Sequence, residues 1–204
     1  MKRLRLFFIS LIALSIILSG VTAFAADPVE KAAVIQLDQT IESGLQSYVE
    51  RALKDAEASG ADTAILVINT FGGTVDAAAG IGEVIRNSPL RTIAFVEGKA
   101  ISAGSYIALN ADEIYMQPGS SIGAAAVVTV GGERVTDSKT IAAWVSMMTG
   151  AAELNGRNEK IAEGMVDDSK VVELPEIGRT FGRGELISLS AEQAIAVGYA
   201  EGIV

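Results

Sequence analysis

The run Ala64-Ile65-Leu66-Val67-Ile68 constrains this chain more than any other feature. It is wholly apolar and rich in β-branched side chains. A strand with no polar alternation suits the middle of a parallel sheet that is covered on both faces. Ala32-Ala33-Val34-Ile35-Gln36-Leu37 reads as a second strand buried on both faces. Between them, Ser43 opens a helix that runs to about Ala58. Leu45, Tyr48, Val49, Ala52 and Leu53 recur there at helical spacing, and Gly60 provides the stop. No sequence repeat or low-complexity tract is present; the repeating unit is strand, turn, helix.

Two such units carry residues suited to chemistry. In the first, Asn69-Thr70-Phe71-Gly72-Gly73-Thr74-Val75-Asp76 follows the Ala64–Ile68 strand. A helix is expected from about Thr74 to Arg86, with Ala77, Ile81, Val84 and Ile85 inward. Glycines at a strand end let the backbone approach a ligand closely. After the Ser88-Pro89 break, the strand Thr92–Val96 leads to Gly98-Lys99-Ala100-Ile101-Ser102-Ala103-Gly104-Ser105 and an apolar helical run from Tyr106 to Leu109. Taken singly, the glycine pair is a turn and Ser102 is a helix cap. Consecutive parallel strands often lie side by side. That would bring the Gly73 N–H to the Ser102 hydroxyl, with the Ala103 N–H adjacent. Two backbone donors beside a serine nucleophile form an oxyanion hole.

The second half continues the alternation. Glu113–Met116 is a short strand ended by Pro118-Gly119. Ser120 to Val128 is either a tightly packed buried strand or the lining of a groove for an extended peptide. Gly131–Arg134 is an exposed loop. Asp137 or Ser138 caps a helix from about Lys139 to Leu154, with Ile141, Val145, Met148 and Ala152 on its core face and Trp144 beside them. Asn155-Gly156-Arg157-Asn158 ends that helix, and another runs from Asn158 to Met165. Val171–Leu174 is a strand and Gly178–Gly184 a loop. Ser190-Ala191-Glu192-Gln193 is a capping box for a helix ending near Val197, and Ile203-Val204 begins a last strand.

The first residues read as an export leader. Lys2, Arg3 and Arg5 precede an apolar run from Phe7 to Leu18, and Ala23-Phe24-Ala25 is a small-x-small cleavage pattern. Residues 1–25 are therefore expected to be a signal peptide, cleaved or retained as an anchor. Residues 26–204 then form one extracytoplasmic domain. The net charge of −9 deepens when the cationic leader is set aside, which disfavours nucleic acid as a partner.

The chain contains no cysteine and no histidine. A thiol nucleophile and a Ser-His-Asp triad are thereby excluded, as are the usual zinc sites. No metal and no cofactor is expected. A serine nucleophile here needs another base, for which lysine is the main candidate. Lys31, Lys54, Lys160 and Lys170 lie in polar or solvated settings. Lys99 precedes Ser102 by three residues, but an extended backbone would turn it away from the serine. Lys139 stands in the first turn of a helix, where the helix dipole opposes a cation. The residues alone rank Lys139 first and leave Lys99 standing.

Thr70-Phe71-Gly72-Gly73, Ile101-Ser102-Ala103-Gly104-Ser105-Tyr106-Ile107-Ala108-Leu109 and Met116-x-Pro118-Gly119-x-x-Ile122-Gly123-Ala124-Ala125 resemble the NfeD family. These are membrane-associated serine proteases of the ClpP/crotonase superfamily. Ala152–Asn158 and Leu189–Ala194 extend the resemblance, which covers residues 30–204 in order. It implies an α/β fold of the ClpP/crotonase type, a spiral of strand-turn-helix units with a mostly parallel sheet. It further implies a Ser-Lys dyad of Ser102 and Lys139, with an oxyanion hole drawn from Gly73, Ala103 and Gly72. The implied substrates are apolar segments of stomatin- or flotillin-like membrane proteins, and homo-oligomers are common in the fold.

Two features depart from the family pattern. Phe71 stands where the family usually has proline, which makes the turn less rigid. The chain also ends before the membrane helices and small β-barrel of longer members. Rival readings are a signal-peptide-peptidase-like protease and a non-catalytic partner of a membrane scaffold. A crotonase-type acyl-CoA enzyme fits an exported chain poorly.

Overall fold

A computed structural model describes residues 31–204. The expected leader, residues 1–25, and the start of the mature segment lie outside the described residues. The elements alternate as the apolar runs require. They are β1 (Ala32–Leu37), α1 (Ser43–Ala58), β2 (Thr63–Thr70), α2 (Val75–Arg86), β3 (Arg91–Ile101), α3 (Ala103–Leu109), β4 (Glu113–Met116) and β5 (Ser121–Gly123). Then follow α4 (Ser138–Leu154), α5 (Glu159–Val166), β6 (Val172–Leu174), a 3₁₀ turn (Pro175–Ile177), β7 (Arg179–Phe181), β8 (Ser188–Ser190), α6 (Ala191–Ala196) and β9 (Gly202–Ile203).

The main sheet runs in the order β1-β2-β3-β4-β9, parallel throughout. β3 is the axis of the arrangement. Its first half, Ile93 to Val96, pairs with β4, and its last three residues, Lys99 to Ile101, pair with β5. β8 adds antiparallel to β5, and β6 and β7 form a separate two-stranded sheet. One long strand thus feeds two neighbours in turn, and its C-terminal end opens where the sheet divides.

The core lies between the main sheet and its helices. Leu66, Ile68, Ala94, Val96 and Ile114 are fully buried from the sheet, against Leu45, Val49, Ile81, Ile85, Ile107 and Leu109. Trp144 and Tyr106 join α4 to α3, with ring centroids 5.1 Å apart. The α4–α5 turn is tied back to the sheet by Arg157, whose buried guanidinium donates to the carbonyls of Ala111 and Asp112 and to Glu201 Oε1 at 3.2–3.3 Å. Burial pushes that guanidinium below its ordinary value, and Glu201 opposes the shift.

Several expectations change. β1 is buried on one face only, with Val34 exposed, because it is the sheet's edge strand. Tyr48 is exposed, and Val84, Ile141 and Val145 are only half buried. The third strand extends beyond Val96 to Ile101, and the helix after Ser102 begins at Ala103 rather than at Tyr106. Within Ser120–Val128 only Ser121–Gly123 is a strand, and Gly178–Gly184 contains β7, paired with β6. The Ser190–Gln193 capping box forms in full.

Candidate active site

Ser102 joins β3 to α3 with φ 56° and ψ −123°. Among the described residues only Ser102 and Ala124 are non-glycine residues at positive φ. An L-residue held there stores strain that its surroundings must overcome. The Ser102 N–H donates to Gly123 O at 3.0 Å. The Ser102 carbonyl accepts the Ser105 N–H at 2.9 Å and the Ser105 hydroxyl at 2.6 Å. The backbone is therefore pinned at both ends, while the hydroxyl makes no capping bond. Ser105 is itself fully buried. The sequence gives it no evident role, although its i+3 spacing from the serine is a local signal.

The second βα unit meets the first at this point. Thr70 pairs with Ala100 after a register shift in β2. The Gly72 N–H donates to Thr70 Oγ1 at 3.1 Å, and Thr70 Oγ1 donates to Gln39 O at 2.8 Å. The Ile41 N–H donates to Gly72 O and the Thr74 N–H to Ile41 O. This parallel bridge turns the Gly73 N–H away from Ile41. A Cβ on Gly72 would lie 3.1 Å from Ala103 N, and Gly72 has φ +109°. A Cβ on Gly73 would fall 2.0 Å from Ile41 O. Glycine is required at both positions, at Gly72 for close approach and left-handed backbone and at Gly73 for approach alone. Neither the Gly73 nor the Ala103 N–H makes a hydrogen bond among the described residues.

These groups open onto a cleft of about 500 Å³. Gly73, Ser102 and Ala103 line one side, and Ala125 to Val130 with Trp144 line the other. The second wall is fixed from behind. Ala125 N donates to Met165 O at 2.7 Å, and the Trp144 indole N–H donates to Ala125 O at 2.9 Å. Val128 and Val130 leave exposed apolar side chains at the rim. The second half of the Ser120–Val128 segment thus lines a cleft instead of forming a buried strand.

A family model for the NfeD1b N-terminal domain matches residues 31–204. The chain belongs to the NfeD1b N-terminal domain family. This NfeD1b-type domain is 42% identical over 169 residues to the membrane protein NfeD1b of Bacillus subtilis, covering 83% of this chain and 38% of that protein. It is 31% identical over 154 residues to the membrane-bound protease PH1510 of Pyrococcus horikoshii, covering 70% and 35%. The domain thus spans well under half the length of these curated relatives. Two solved structures of the 1510-N membrane-bound stomatin-specific protease superpose on it with TM-score 0.73 at 27% identity. One is a serine-to-alanine mutant, with 86% of this chain and 80% of that chain covered. The other is a lysine-to-alanine mutant in complex with a substrate peptide, with 86% and 75% covered. ClpP1 from Listeria monocytogenes matches with TM-score 0.63 at 20% identity, covering 84% and 90%. The fold is ClpP-like α/β with a mostly parallel sheet.

The expected site residues divide into two groups. Ser102, Gly72, Gly73 and Ala103 come together. Lys139 stands apart: it is exposed in the first turn of α4, its amine makes no ion pair or hydrogen bond among the described residues, and it does not line the cleft. Its helix is capped by Asp137, whose carboxylate accepts from the Thr140 N–H at 2.8 Å and the Thr140 hydroxyl at 2.7 Å. The burial expected for a lysine base is therefore absent in the single chain. Lys99 does turn elsewhere, donating to Asn69 Oδ1. Among the described residues no group of acids is placed to hold a metal ion, and no helix is long and apolar enough to cross a membrane.

Proposed function

We propose that this domain is a serine endopeptidase in which Ser102 is the nucleophile and Lys139 the base. The observation that carries the reading is Ser102 itself. It is strained at φ 56°, its hydroxyl is free of capping bonds, and it lies against the Gly72–Gly73 loop at the edge of a cleft. The hydroxyl oxygen attacks a peptide carbonyl and its proton passes to the Lys139 amine. The Gly73 and Ala103 N–H groups, with Gly72 shaping the turn, stabilise the oxyanion. The proton then moves to the leaving amine, and water releases the acyl group from Ser102. The exposed start of α4 must close over the cleft for this, on a bound peptide or on a second copy of the chain.

The apolar rim at Val128 and Val130 suits an apolar, extended substrate. Stomatin- or flotillin-like membrane proteins are the proposed class, in keeping with the stomatin specificity named for the 1510-N structures. Residues 1–25 are proposed to direct export, with residues 26–204 forming the protease domain at the extracytoplasmic face of the membrane as a homo-oligomer. Under this reading a fluorophosphonate probe labels the parent chain and not Ser102→Ala. Undiminished peptidase activity in Lys139→Ala removes the base assignment.

One observation favours a second reading. Lys139 is exposed and has no partner among the described residues. A non-catalytic partner of a membrane scaffold would need no dyad. Such a domain leaves the parent chain unlabelled, while Ser102→Ala retains capture of a stomatin-like protein.

A further inference from the structure

Lys99 stands on the strand that delivers Ser102, and the mechanism proposed above gives it no part. Its amine donates to Asn69 Oδ1 at 3.0 Å and lies 4.5 Å from the centroid of the Phe71 ring. Amide oxygens and aromatic faces both recognise an ammonium group. Asn69 sits at the register shift between β2 and β3, and Phe71 immediately precedes Gly72. The Asn69 side chain reaches this position by lying across Gly98, where a Cβ would be 2.8 Å from Asn69 Oδ1.

The glycine loop is therefore held from two sides. Inside, buried Thr70 fixes Gly72 N and Gln39 O. Outside, one amine from β3 grips the residues on either side of Thr70. Phe71 is 79% exposed, so its ring contributes little by burial, and the amine is its evident anchor. The Ile41 bridge to Gly72 and Thr74 frames the far end of the turn, and the amine adds a hold on Asn69 and Phe71, where the chain leaves β2.

We infer that Lys99 is a positioning residue that ties the nucleophile strand to the oxyanion loop and keeps Gly72–Gly73 in register with Ser102. The inference rests on the protease reading for its catalytic consequence, but the clamp itself can be read without activity. Lys99→Met keeps the stem and removes the ammonium group. Lys99→Arg keeps a cation. Phe71→Leu removes the aromatic face.

The first measurement is hydrogen–deuterium exchange across residues 69–74 of the full chain. Lys99→Met and Phe71→Leu are expected to speed exchange there several-fold, and Lys99→Arg to leave it near the parent. The second is fluorophosphonate acylation of Ser102 together with peptide hydrolysis. Lys99→Met is expected to lower acylation and kcat by roughly tenfold with KM unchanged, with most of the loss recovered in Lys99→Arg. Lys99→Met combined with Phe71→Leu should exchange no faster than Lys99→Met alone, since both remove the same contact. Unchanged exchange in Lys99→Met overturns the clamp, and faster exchange with unchanged acylation overturns its positioning role. If the parent chain is not acylated at all, the protease reading has failed, and exchange alone decides the clamp.

Discussion

Gly72 lies so close to Ser102 that a Cβ on the glycine would sit 2.7 Å from the serine Cβ. The same atom would be 3.0 Å from Ile101 O, and the residue's φ of +109° is closed to ordinary side chains. Gly72→Ala must therefore move the loop away from the nucleophile. It is expected to lower stability by about 1–3 kcal/mol and to cut fluorophosphonate labelling by roughly 100-fold or more. Thermal unfolding and labelling kinetics on one preparation separate the two effects.

Gly150 supplies the opposite case. It lies inside α4 on ordinary helical backbone, and a Cβ added there would meet nothing within 4 Å. Gly150→Ala is expected to stabilise the domain by about 0.5–1 kcal/mol. Chemical denaturation measures it, and labelling should be unchanged.

The Ser105 hydroxyl supports the strained serine through its carbonyl at 2.6 Å. Ser105→Ala leaves the Ser105 N–H on that oxygen, so the turn survives with one support fewer. A loss of about 1 kcal/mol in stability is expected. Labelling should fall several-fold while the KM for a peptide stays constant.

Arg157 links three chain segments through Ala111, Asp112 and Glu201. Arg157→Met fills similar space but leaves two strand-end carbonyls without their donor. A destabilisation of about 1–3 kcal/mol follows, read by denaturant midpoint. Arg157 lies beyond the C-terminal end of α4 and does not line the cleft, so per-molecule labelling of the folded fraction should be unaffected.

The Asp137 carboxyl is held below its ordinary value by the Thr140 hydroxyl and N–H that donate to it. A group whose folded value is depressed contributes stability above its unfolded value, near 4 for a carboxylate, and loses that contribution as pH falls through the folded value. Exchange across residues 138–142 should therefore rise as the pH drops below about 4. In Asp137→Ala it should be raised at every pH, with that acid step gone.

Much of the fold is legible along the chain because its cause is local. β1, α1 and β4 end where the apolar periodicity, the stop at Gly60 and the turn at Pro118-Gly119 place them. The Ser190 capping box is likewise written in four consecutive residues. The elements that differ depend on distant partners. β3 extends to Ile101 because β5 arrives to pair with Lys99 to Ile101. β7 exists because β6 lies opposite it. Val34 is exposed because β1 is the edge of the sheet.

By itself the sequence determined the alternation of strand and helix, the exclusion of imidazole and thiol chemistry, and the two turns at Gly72-Gly73 and Ser102. These follow from residue type and short-range spacing. Only the tertiary structure decided that the two turns meet, that Ser105 and Gly123 pin the strained serine, and that the Lys99 amine grips Asn69 and Phe71 while Lys139 stays in solvent. Those relations join residues from separate strands and helices. Their distances are set by sheet register and helix packing, which no local stretch of chain contains.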